Sequence, residues 1–438
     1  MSRYDNSNAA NWGFATRQIH AGQPVDSDFG SRNLPIHMTT AFVFDGAESA
    51  ANRFNLSESG FIYTRLNNPT VTAVEERFAA LEGGIGAVMF ASGMAAEMAA
   101  IMNLAKAGDH VVTSPRLYGG TDTLFSVTLA RMGIEFTYVD NPDDPESWQA
   151  AVKPNTRAFF AESIANPQCD VLDIPAVAEV AHRNCVPLIV DNTIPTAWAV
   201  RPLDLGADIV IASTTKFYTG NGSALGGIVV DGGKFDWTQE RDGEAVFHEF
   251  VTPDPAYHGL KYADLGDPAY ILKLRVGVLR DTGAAPSPFN AWLVAQGLDT
   301  LSLRMRQHNE NAQKVAEFLE SHPQVKKVTY AGLESSPWNE TLQKLNIPGA
   351  GGVMTFDVDG GADEAWKFID ALKLHSNVAN IGDVRSLVVH PATTTHSQCT
   401  PEQNSAAGVL PSTIRLSVGI EDVEDIIADL EQGFAALQ

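Results

Sequence analysis

Two residues with reactive side chains follow buried apolar strands, at the position where parallel sheets bind their ligands. Lys216 comes shortly after the strand-like run 208–212, and Asp191 ends the similar run 186–191. A lysine amine can form a Schiff base, and a carboxylate can hold the ring nitrogen of a pyridine. The pair therefore suits pyridoxal phosphate. A solvated lysine and a capping aspartate are the ordinary structural alternatives.

A second feature could bind a phosphate group. Ser92, Gly93 and Met94 stand where a predicted strand ends and a helix begins. Free N–H groups at a helix N-terminus favour an anion, and a glycine lets the anion come close. A simple helix cap is the alternative explanation for this turn. The hydroxyls of Ser213 and Thr215 add two donors near the lysine, so the stretches together favour a cofactor phosphate.

The pattern between residues 69 and 235 positions these groups. Short apolar runs alternate there with helical stretches, which predicts an α/β fold with a mostly parallel sheet and crossover helices. Ligands of such sheets bind beyond the carboxyl ends of the strands, where Ser92, Asp191 and Lys216 fall. The predicted strands are 87–90, 110–114, 134–139, 158–161, 187–191, 208–212 and 227–230. The predicted helices are 94–106, 121–132, 145–152 and 175–184.

The chain is predicted to have three parts. Residues 1–68 have weak periodicity and indicate an extended arm of the kind that wraps a partner subunit. Residues 69–290 form a large α/β domain with a Gly-, Pro- and aromatic-rich insertion at about 234–287. Residues 291–438 form a smaller α+β domain. Its predicted elements are a long helix over 288–321, strands at 326–330, 352–358, 386–390 and 414–418, and helices at 363–374 and 423–437.

Charge and hydropathy disfavour two classes of partner. The 438 residues carry 30 Lys plus Arg against 53 Asp plus Glu, a net charge of −23. Such an acidic chain is not expected to bind nucleic acid or an anionic membrane. No run approaches the roughly 18 apolar residues of a membrane span, and residues 1–7 lack the apolar stretch of a secretion signal. A cytoplasmic protein is therefore expected.

Cysteine and histidine positions indicate neither disulfides nor a metal site. Cys169, Cys185 and Cys399 are widely spaced without a CxxC pair, so all three are predicted to be plain thiols. His390 and His396 lie on a predicted strand and the loop after it, and the stretch 386–396 contains no acidic or cysteine residue, which favours a structural or substrate-contacting role. No G-x-G-x-x-G opens a helix after a strand, so a nicotinamide dehydrogenase is a distant alternative. A scaffold protein without catalytic activity is another.

Six motifs along the chain resemble the Cys/Met metabolism family of fold-type I pyridoxal-phosphate enzymes. They are 63–65 with 68–69, 92–94, 117–121, 191–193, 213–216 and 415–421. Three further stretches, 257–260, 279–283 with 287–290, and 386–396, resemble the branch of that family that makes homocysteine from O-acetyl-L-homoserine and sulfide. The resemblance covers nearly the whole chain. It implies a seven-stranded, mostly parallel sheet, an N-terminal arm and a smaller α+β C-terminal domain.

The resemblance also implies a role for each cofactor residue. Lys216 attaches pyridoxal 5'-phosphate covalently and moves protons, while Asp191 holds the ring nitrogen. Tyr118 stacks on the ring and is a candidate second acid/base. The residues expected around the phosphate and ring are Ser92, Gly93, Met94, Asn166, Thr193, Ser213 and Thr215.

Substrate and subunit contacts follow from the same resemblance. Arg415 is expected to clamp the substrate α-carboxylate, with help from the Ser386 backbone and from Asn166. Tyr63 and Arg65 are expected to reach the phosphate of a neighbouring subunit, which implies a homotetramer built of dimers that share active sites. The expected reaction is γ-replacement on O-acetyl-L-homoserine by sulfide, giving homocysteine and acetate. Cystathionine γ-synthase chemistry and an O-succinyl substrate remain open, since such preferences differ by only about 1 to 3 kcal/mol.

Three positions depart from the family pattern. Met94 stands where many members of the sulfide-using branch have Gln, but a backbone contact to phosphate survives that change. His37 and Met38 replace a Tyr-Gln pair, which affects any side-chain contact near the cavity. The residue after Tyr118, Gly119, is not the cysteine typical of methionine γ-lyases, which counts against an eliminating enzyme.

Overall fold

The seven strands predicted for the large domain all form, and they build the larger of two sheets in the computed structural model. The structure describes residues 11–23, 26, 29–397, 400, 404 and 408–438. The strands are β1 Gly86–Phe90, β2 His110–Thr113, β3 Glu135–Tyr138, β4 Thr156–Glu162, β5 Leu188–Asp191, β6 Ile209–Ser213 and β7 Gly227–Asp231. They lie in the order β1-β7-β6-β5-β4-β2-β3, and only the two pairings of β7 are antiparallel. The prediction of a mostly parallel α/β sheet is confirmed.

The helices in the first half of the chain either precede the large sheet or connect its strands. They are α1 Phe14–His20, α2 Ala47–Phe54, α3 Pro69–Glu82, α4 Gly93–Met102, α5 Gly119–Thr123, α6 Pro145–Ala150, α7 Ile174–Arg183 and α8 Thr196–Ala199. The N-terminal arm predicted for residues 1–68 contains α1 and α2, two short helices that give only weak periodicity in the sequence. The helix predicted over 121–132 is α5 followed by a π-helical turn, Leu124–Leu129.

Local sequence explains where the helices beside the site begin. Asn68 accepts a hydrogen bond from the Thr70 N–H and stands before Pro69, so α3 starts with a capping side chain and a proline in its first turn. Ser92 caps α4 by accepting from the Ala95 N–H at 3.1 Å. The strands β5 and β6 are almost entirely buried apolar residues, as expected for strands covered on both faces. Their polar carboxyl ends therefore face the ligand crevice.

The insertion covers the open edge of the large sheet. It contains β8 Glu240–Arg241, β9 Glu244–Ala245, α9 His248–Val251, α10 Ala269–Lys273, the π-helix Leu274–Leu279 and α11 Arg280–Thr282. Arg275 from the π-helix donates to the Ala87 carbonyl on edge strand β1 at 2.9 Å. The same guanidinium pairs with Glu75 at 2.7 Å, and Glu75 accepts from the Met89 N–H at 2.8 Å. The ion pair of Arg275 and Glu75 therefore satisfies backbone groups of β1 that would otherwise pair with a further strand.

The C-terminal part forms a second, five-stranded sheet with helices on one face. Its elements are α12 Pro288–Leu298, α13 Leu301–Ser321, β10 Val325–Thr329, α14 Asn339–Lys344, β11 Val353–Val358, α15 Ala362–Ala371, β12 Ser376–Asn377, β13 Leu387–Val389, β14 Thr413–Ser417 and α16 Val423–Ala435. The strand order is β10-β11-β14-β13-β12. The single long helix predicted over 288–321 is two helices, because the chain turns at Asp299 and Thr300. The two-residue strand β12 is too short to have given a sequence signal.

Some predictions fall on segments outside the described residues. These are the start of the chain at residues 1–7 and Cys399. Cys169 and Cys185 are free thiols, as predicted. No helix among the described residues is both long enough and apolar enough to cross a membrane.

Candidate active site

A cavity of about 250 Å³ lies at the carboxyl ends of β4, β5 and β6. Most of the predicted site residues line it. They are Ser92, Gly93, Met94, Tyr118, Asn166, Asp191, Thr193, Ser213, Thr215, Lys216 and Arg415. The topology brings them together because these strand ends meet at one edge of the sheet. Arg415 enters from β14 of the second sheet, so the cavity lies between the two sheets.

Lys216 lies inside this cavity and has an unusual environment for a lysine. Its Nζ donates to Asn380 Oδ1 at 2.5 Å. Burial, with a smaller contribution from the nearby Arg415 cation, lowers the pKa of Lys216 to about 8. A larger share of neutral amine is therefore present near neutral pH than for an ordinary lysine. A neutral amine is the form that attacks a carbonyl carbon.

Asp191, the last residue of β5, is held in place by Thr193, two residues further along the chain. Its Oδ1 accepts from the Thr193 N–H at 2.8 Å. Burial raises the pKa of Asp191 to about 6, while the hydrogen bonds from Thr193 oppose that rise. The Thr193 hydroxyl in turn accepts from the Ser213 N–H at 2.8 Å, which joins the ends of β5 and β6. An aspartate so fixed is suited to hold a cationic ring nitrogen.

Two further buried carboxyl groups, Glu97 and Glu162, line the cavity. Burial and the nearby Asp191 charge raise the pKa of both groups, that of Glu97 to about 8. Glu97 accepts from the Thr121 hydroxyl at 2.9 Å. Because its pKa lies above that of Asp191, Glu97 is the more readily protonated of these two groups. The negative charge of Asp191 thus favours the protonated forms of Glu97 and Glu162.

Glu162 positions two of the predicted cofactor residues. Its two carboxyl oxygens accept from the Tyr118 N–H at 2.5 Å and from the Asn166 N–H at 3.1 Å. One side chain at the end of β4 thereby fixes the loop that carries Tyr118 and the loop that carries Asn166. The Tyr118 side chain remains 43% exposed and lines the mouth of the cavity.

Arg415 is a buried cation whose partners are neutral. It is 3% exposed, and burial lowers its pKa to about 10. Its guanidinium donates to Asn166 Oδ1 at 3.2 Å and to the Asn380 carbonyl at 3.1 Å. In the described part of the chain no carboxylate forms an ion pair with it. A buried arginine without a counter-ion is a ready site for a ligand carboxylate.

The cavity fits pyridoxal phosphate by the chemistry of its donors and by its shape. A lysine amine and an aspartate stand on adjacent strands, and the N-terminus of α4 faces the same space. At Gly93 a Cβ atom would lie 2.8 Å from Ser213 Cβ, so only glycine permits this close approach of α4 to β6. Gly93 therefore keeps backbone N–H groups next to the hydroxyl-bearing strand end, which is the arrangement a phosphate requires.

Three predicted residues do not line this cavity. Tyr63 is 41% exposed on the surface, and the guanidinium of Arg65 lies 5.5 Å from its ring centre. Arg65 also donates to the Arg280 carbonyl in the insertion. Ser386 is buried instead, and its N–H donates to Glu421 Oε1 at 2.6 Å. The Ser386 N–H is thus already bonded within the chain.

Several cavity residues were not predicted from the sequence. They are Glu97, Glu162, Ile164, Ile194, Leu225, Ala379, Asn380, Ile381 and Thr395. Glu162 ends a buried strand as Asp191 does, so the same reasoning could have found it. Glu97 lies one helical turn after Gly93, a spacing that places it on the same face of α4. Asn380 follows β12 by three residues and had no such signal.

Comparison with known proteins agrees with this geometry. The family described as Cys/Met metabolism PLP-dependent enzyme matches residues 15–435. An O-acetyl-L-homoserine sulfhydrylase of Corynebacterium glutamicum is 68% identical over 437 residues, which cover 100% of both chains. A protein of the same name from Leptospira meyeri is 48% identical over 427 residues, 95% of each chain.

A solved structure has the same fold. It is a Campylobacter jejuni protein assigned as an O-acetylhomoserine (thiol)-lyase, with N'-pyridoxyl-lysine-5'-monophosphate in its chain. The two structures superpose with a TM-score of 0.93 at 39% identity, and the match covers 97% of this chain and 100% of that one. The similarity therefore extends over both sheets.

Proposed function

The chain belongs to the Cys/Met metabolism family of pyridoxal-phosphate-dependent enzymes, and we propose that it makes L-homocysteine from O-acetyl-L-homoserine and sulfide. The reaction is a γ-replacement: acetate leaves Cγ of the substrate, and the sulfur of sulfide bonds to the same carbon. It serves methionine biosynthesis. Relatives named for this activity match essentially the whole length of the chain.

One observation carries this proposal: the unpaired guanidinium of Arg415 lies in the same cavity as Lys216 and Asp191. An amino-acid substrate brings the carboxylate that Arg415 lacks, and a bidentate contact would fix the substrate in one orientation. The α-carbon is then held near the amine of Lys216. The charge of Arg415 already influences that amine, since it contributes to the lowered pKa of Lys216.

The protein groups divide the chemical work. When bound, pyridoxal phosphate supplies a conjugated ring that withdraws electrons from the α-carbon of an attached amino acid. Lys216 attaches the cofactor and afterwards accepts and returns the substrate protons. Asp191 would keep the ring nitrogen protonated, and Tyr118, which lines the cavity, would stack on the ring. Tyr118 is also the proposed second acid/base.

The phosphate is assigned to the start of α4 and the end of β6. Backbone N–H groups of Gly93 and Met94 and the hydroxyl groups of Ser213 and Thr215 are its proposed partners, with Ser92 capping the helix beneath it. Asn166 is assigned to the ring hydroxyl and, with Arg415, to the substrate. Ser386 is not among the proposed substrate partners, because its N–H donates to Glu421.

The assembled enzyme is proposed to be a homotetramer of dimers that share active sites. Tyr63 and Arg65 lie outside their own cavity and are exposed, which supports a role in the site of a second copy. The proposed divisions of the chain are the arm 1–68, the large domain 69–290 and the C-terminal domain 291–438. A cytoplasmic location is proposed on the free thiols of Cys169 and Cys185.

The decisive experiment offers the purified protein O-acetyl-L-homoserine with equal amounts of sulfide and cysteine. Mass spectrometry of the amino-acid product distinguishes the activities. Homocysteine supports the proposal, whereas cystathionine would move the assignment to γ-synthase chemistry and leave the cofactor site unchanged. A parallel reaction with O-succinyl-L-homoserine identifies the preferred acyl group.

The role of Arg415 is tested with a matched pair of variants. Arg415→Gln is expected to lower kcat/KM for O-acetyl-L-homoserine by about a hundredfold, since removal of a charged hydrogen-bonding partner in a buried site costs about 3 kcal/mol. Arg385→Gln, an exposed arginine in the same region, is expected to leave kcat/KM unchanged. Equal activity of the two variants would remove Arg415 from the site.

A further inference from the structure

A buried glutamate lies behind the cofactor cavity and contacts the segments that carry both reactive side chains. Glu82 Oε1 accepts from the Tyr218 hydroxyl at 2.8 Å and from Asn192 Nδ2 at 3.3 Å. Glu82 is 1% exposed, and Tyr218 and Asn192 are fully buried. None of the three lines the cavity, so this cluster is separate from the groups that would touch cofactor or substrate.

The partners of Glu82 are adjacent in sequence to the reactive residues. Asn192 directly follows Asp191, and Tyr218 lies two residues after Lys216. A carboxyl group between them therefore joins the end of β5 to the loop that follows β6. Movement of either segment would break a bond to Glu82.

Both partners are bonded on their other sides as well. Asn192 Oδ1 accepts from the Ser163 hydroxyl at 2.8 Å, and Asn192 Nδ2 also donates to the Val200 carbonyl at 2.8 Å. The Tyr218 oxygen accepts from the Ala197 N–H at 2.9 Å. Each group thus has a fixed orientation, and such a network holds one arrangement of its segments.

A carboxyl group at this position is costly for the fold. Glu82 is the last residue of α3, where the negative end of the helix dipole disfavours a negative charge. Burial raises the pKa of Glu82 to about 7. Its second oxygen, Oε2, is buried without a hydrogen-bond partner among the described residues. An apolar side chain of similar size would avoid these costs, so packing alone does not account for a glutamate here.

We propose that Glu82 is a positioning residue of the active site, which sets the separation of Lys216 and Asp191 by bonding Tyr218 and Asn192. This inference rests on the proposed function, in which Lys216 attaches the cofactor and Asp191 holds its ring nitrogen. Both contacts to one bound ring depend on that separation. Disruption of the cluster therefore weakens cofactor binding and alters the electronic environment of the bound ring.

Three variants test the role of hydrogen bonding at this position. Glu82→Met keeps the approximate size of the side chain but removes the acceptor, and Tyr218→Phe removes only the hydroxyl. Glu82→Gln keeps an acceptor oxygen for both partners. The first two are expected to raise the dissociation constant of pyridoxal phosphate about tenfold, equivalent to about 1.4 kcal/mol, and Glu82→Gln by less than about threefold.

The measurements use the full-length protein, stripped of cofactor and titrated with pyridoxal phosphate. The second readout is the pH midpoint of the visible absorbance change of the bound cofactor, which a loss of stability alone does not move. Glu82→Met and Tyr218→Phe are expected to shift this midpoint, and Glu82→Gln to restore it. Wild-type values of both quantities in Tyr218→Phe would overturn the inference, even if Glu82→Met failed to fold.

The control is a buried tyrosine of the same large domain, Tyr270. Its hydroxyl donates to the Ala100 carbonyl at 3.4 Å, away from the cavity. Tyr270→Phe is expected to leave both cofactor readouts unchanged, and an equal shift there would also overturn the inference. Borohydride reduction and peptide mass mapping of the wild-type protein test the proposed function separately. Cofactor on a lysine other than Lys216 would refute that function, whereas label on Lys216 with unchanged variants would refute only the role of Glu82.

Discussion

Lys216 Nζ donates a hydrogen bond to Asn380 Oδ1 at 2.5 Å, and this contact links the two sheets of the protein. The same asparagine accepts from Arg415 through its backbone carbonyl at 3.1 Å. Asn380 therefore lies between the amine that would attach the cofactor and the guanidinium that would bind the substrate. Its side chain and main chain give the two cationic groups a common support.

Removal of the Asn380 side chain is expected to slow the reaction. In Asn380→Ala the amine of Lys216 loses its acceptor, so kcat/KM for O-acetyl-L-homoserine is expected to fall about tenfold, the effect of one charge-assisted hydrogen bond. Steady-state assays at saturating sulfide measure this change. Asn377→Ala, an exposed asparagine of β12, is the control and is expected to keep full activity. A wild-type kcat/KM in Asn380→Ala would show that the contact has no catalytic role.

The lowered pKa of Lys216 predicts the pH dependence of cofactor attachment. Only the neutral amine attacks the aldehyde, so attachment becomes faster as pH rises through the lysine pKa. Since that pKa is about 8, the rate is expected to be half-maximal near pH 8. Stopped-flow absorbance of the cofactor-free protein mixed with pyridoxal phosphate gives this profile. An ordinary lysine would give a rate that still rises near pH 10.

A variant of Arg415 tests the electrostatic cause of this pKa. Removal of its positive charge in Arg415→Met makes the ammonium form of Lys216 less unfavourable, which raises the lysine pKa. The half-maximal pH of attachment is therefore expected to move upward. Burial is the larger cause and remains in the variant, so the midpoint stays below that of a free lysine. A downward shift would contradict the assigned proximity of the two charges.

The large sheet was predictable because its strands are continuous apolar runs between helical patterns, and all seven appear within a few residues of their expected bounds. The same pattern identifies Lys216 and Asp191, since Asp191 ends such a run and Lys216 comes shortly after one. Asn380 has no signal in the sequence, because it follows the two-residue strand β12. The pairing of β12 with β13 depends on tertiary contacts that the local sequence does not encode. Glu82 was missed because its contacts are 110 and 136 residues away along the chain.

The proposed sharing of active sites between subunits predicts the result of a complementation experiment. Lys216→Ala lacks the attachment residue, while Arg65→Ala lacks the exposed cation assigned to the neighbouring site. Each is expected to have little activity alone. After the two are dissociated and reassembled together, mixed dimers contain one site with both residues intact, so activity is expected to return to about a quarter of wild type by random pairing. Absence of recovery in verified mixed assemblies would place Arg65 and Lys216 in the same site or remove the role of Arg65.

A buried, hydrogen-bonded aspartate in the C-terminal part, Asp429, predicts a distinct effect on stability. Asp429 accepts from His375 Nδ1 at 2.7 Å and from the N–H groups of His375 and Lys373 at 3.0 and 2.7 Å. These hydrogen bonds lower the pKa of Asp429 and outweigh the opposing effect of burial. A carboxyl group with a depressed folded-state pKa stabilises the fold above its unfolded pKa of about 4, and that contribution is lost as pH falls below this value.

Asp429→Asn is therefore expected to lower the free energy of unfolding by about 2 kcal/mol at pH 7, since it removes the charge that accepts three hydrogen bonds. Urea unfolding followed by circular dichroism at pH 7 and at pH 3 measures the effect. The difference between wild type and variant is expected to shrink at pH 3, because the wild-type aspartate then begins to lose its advantage. Asp370→Asn, on α15 and exposed, is the control for loss of a negative charge. A difference of equal size at both pH values would show that side-chain packing, rather than the charge of Asp429, provides the stabilisation.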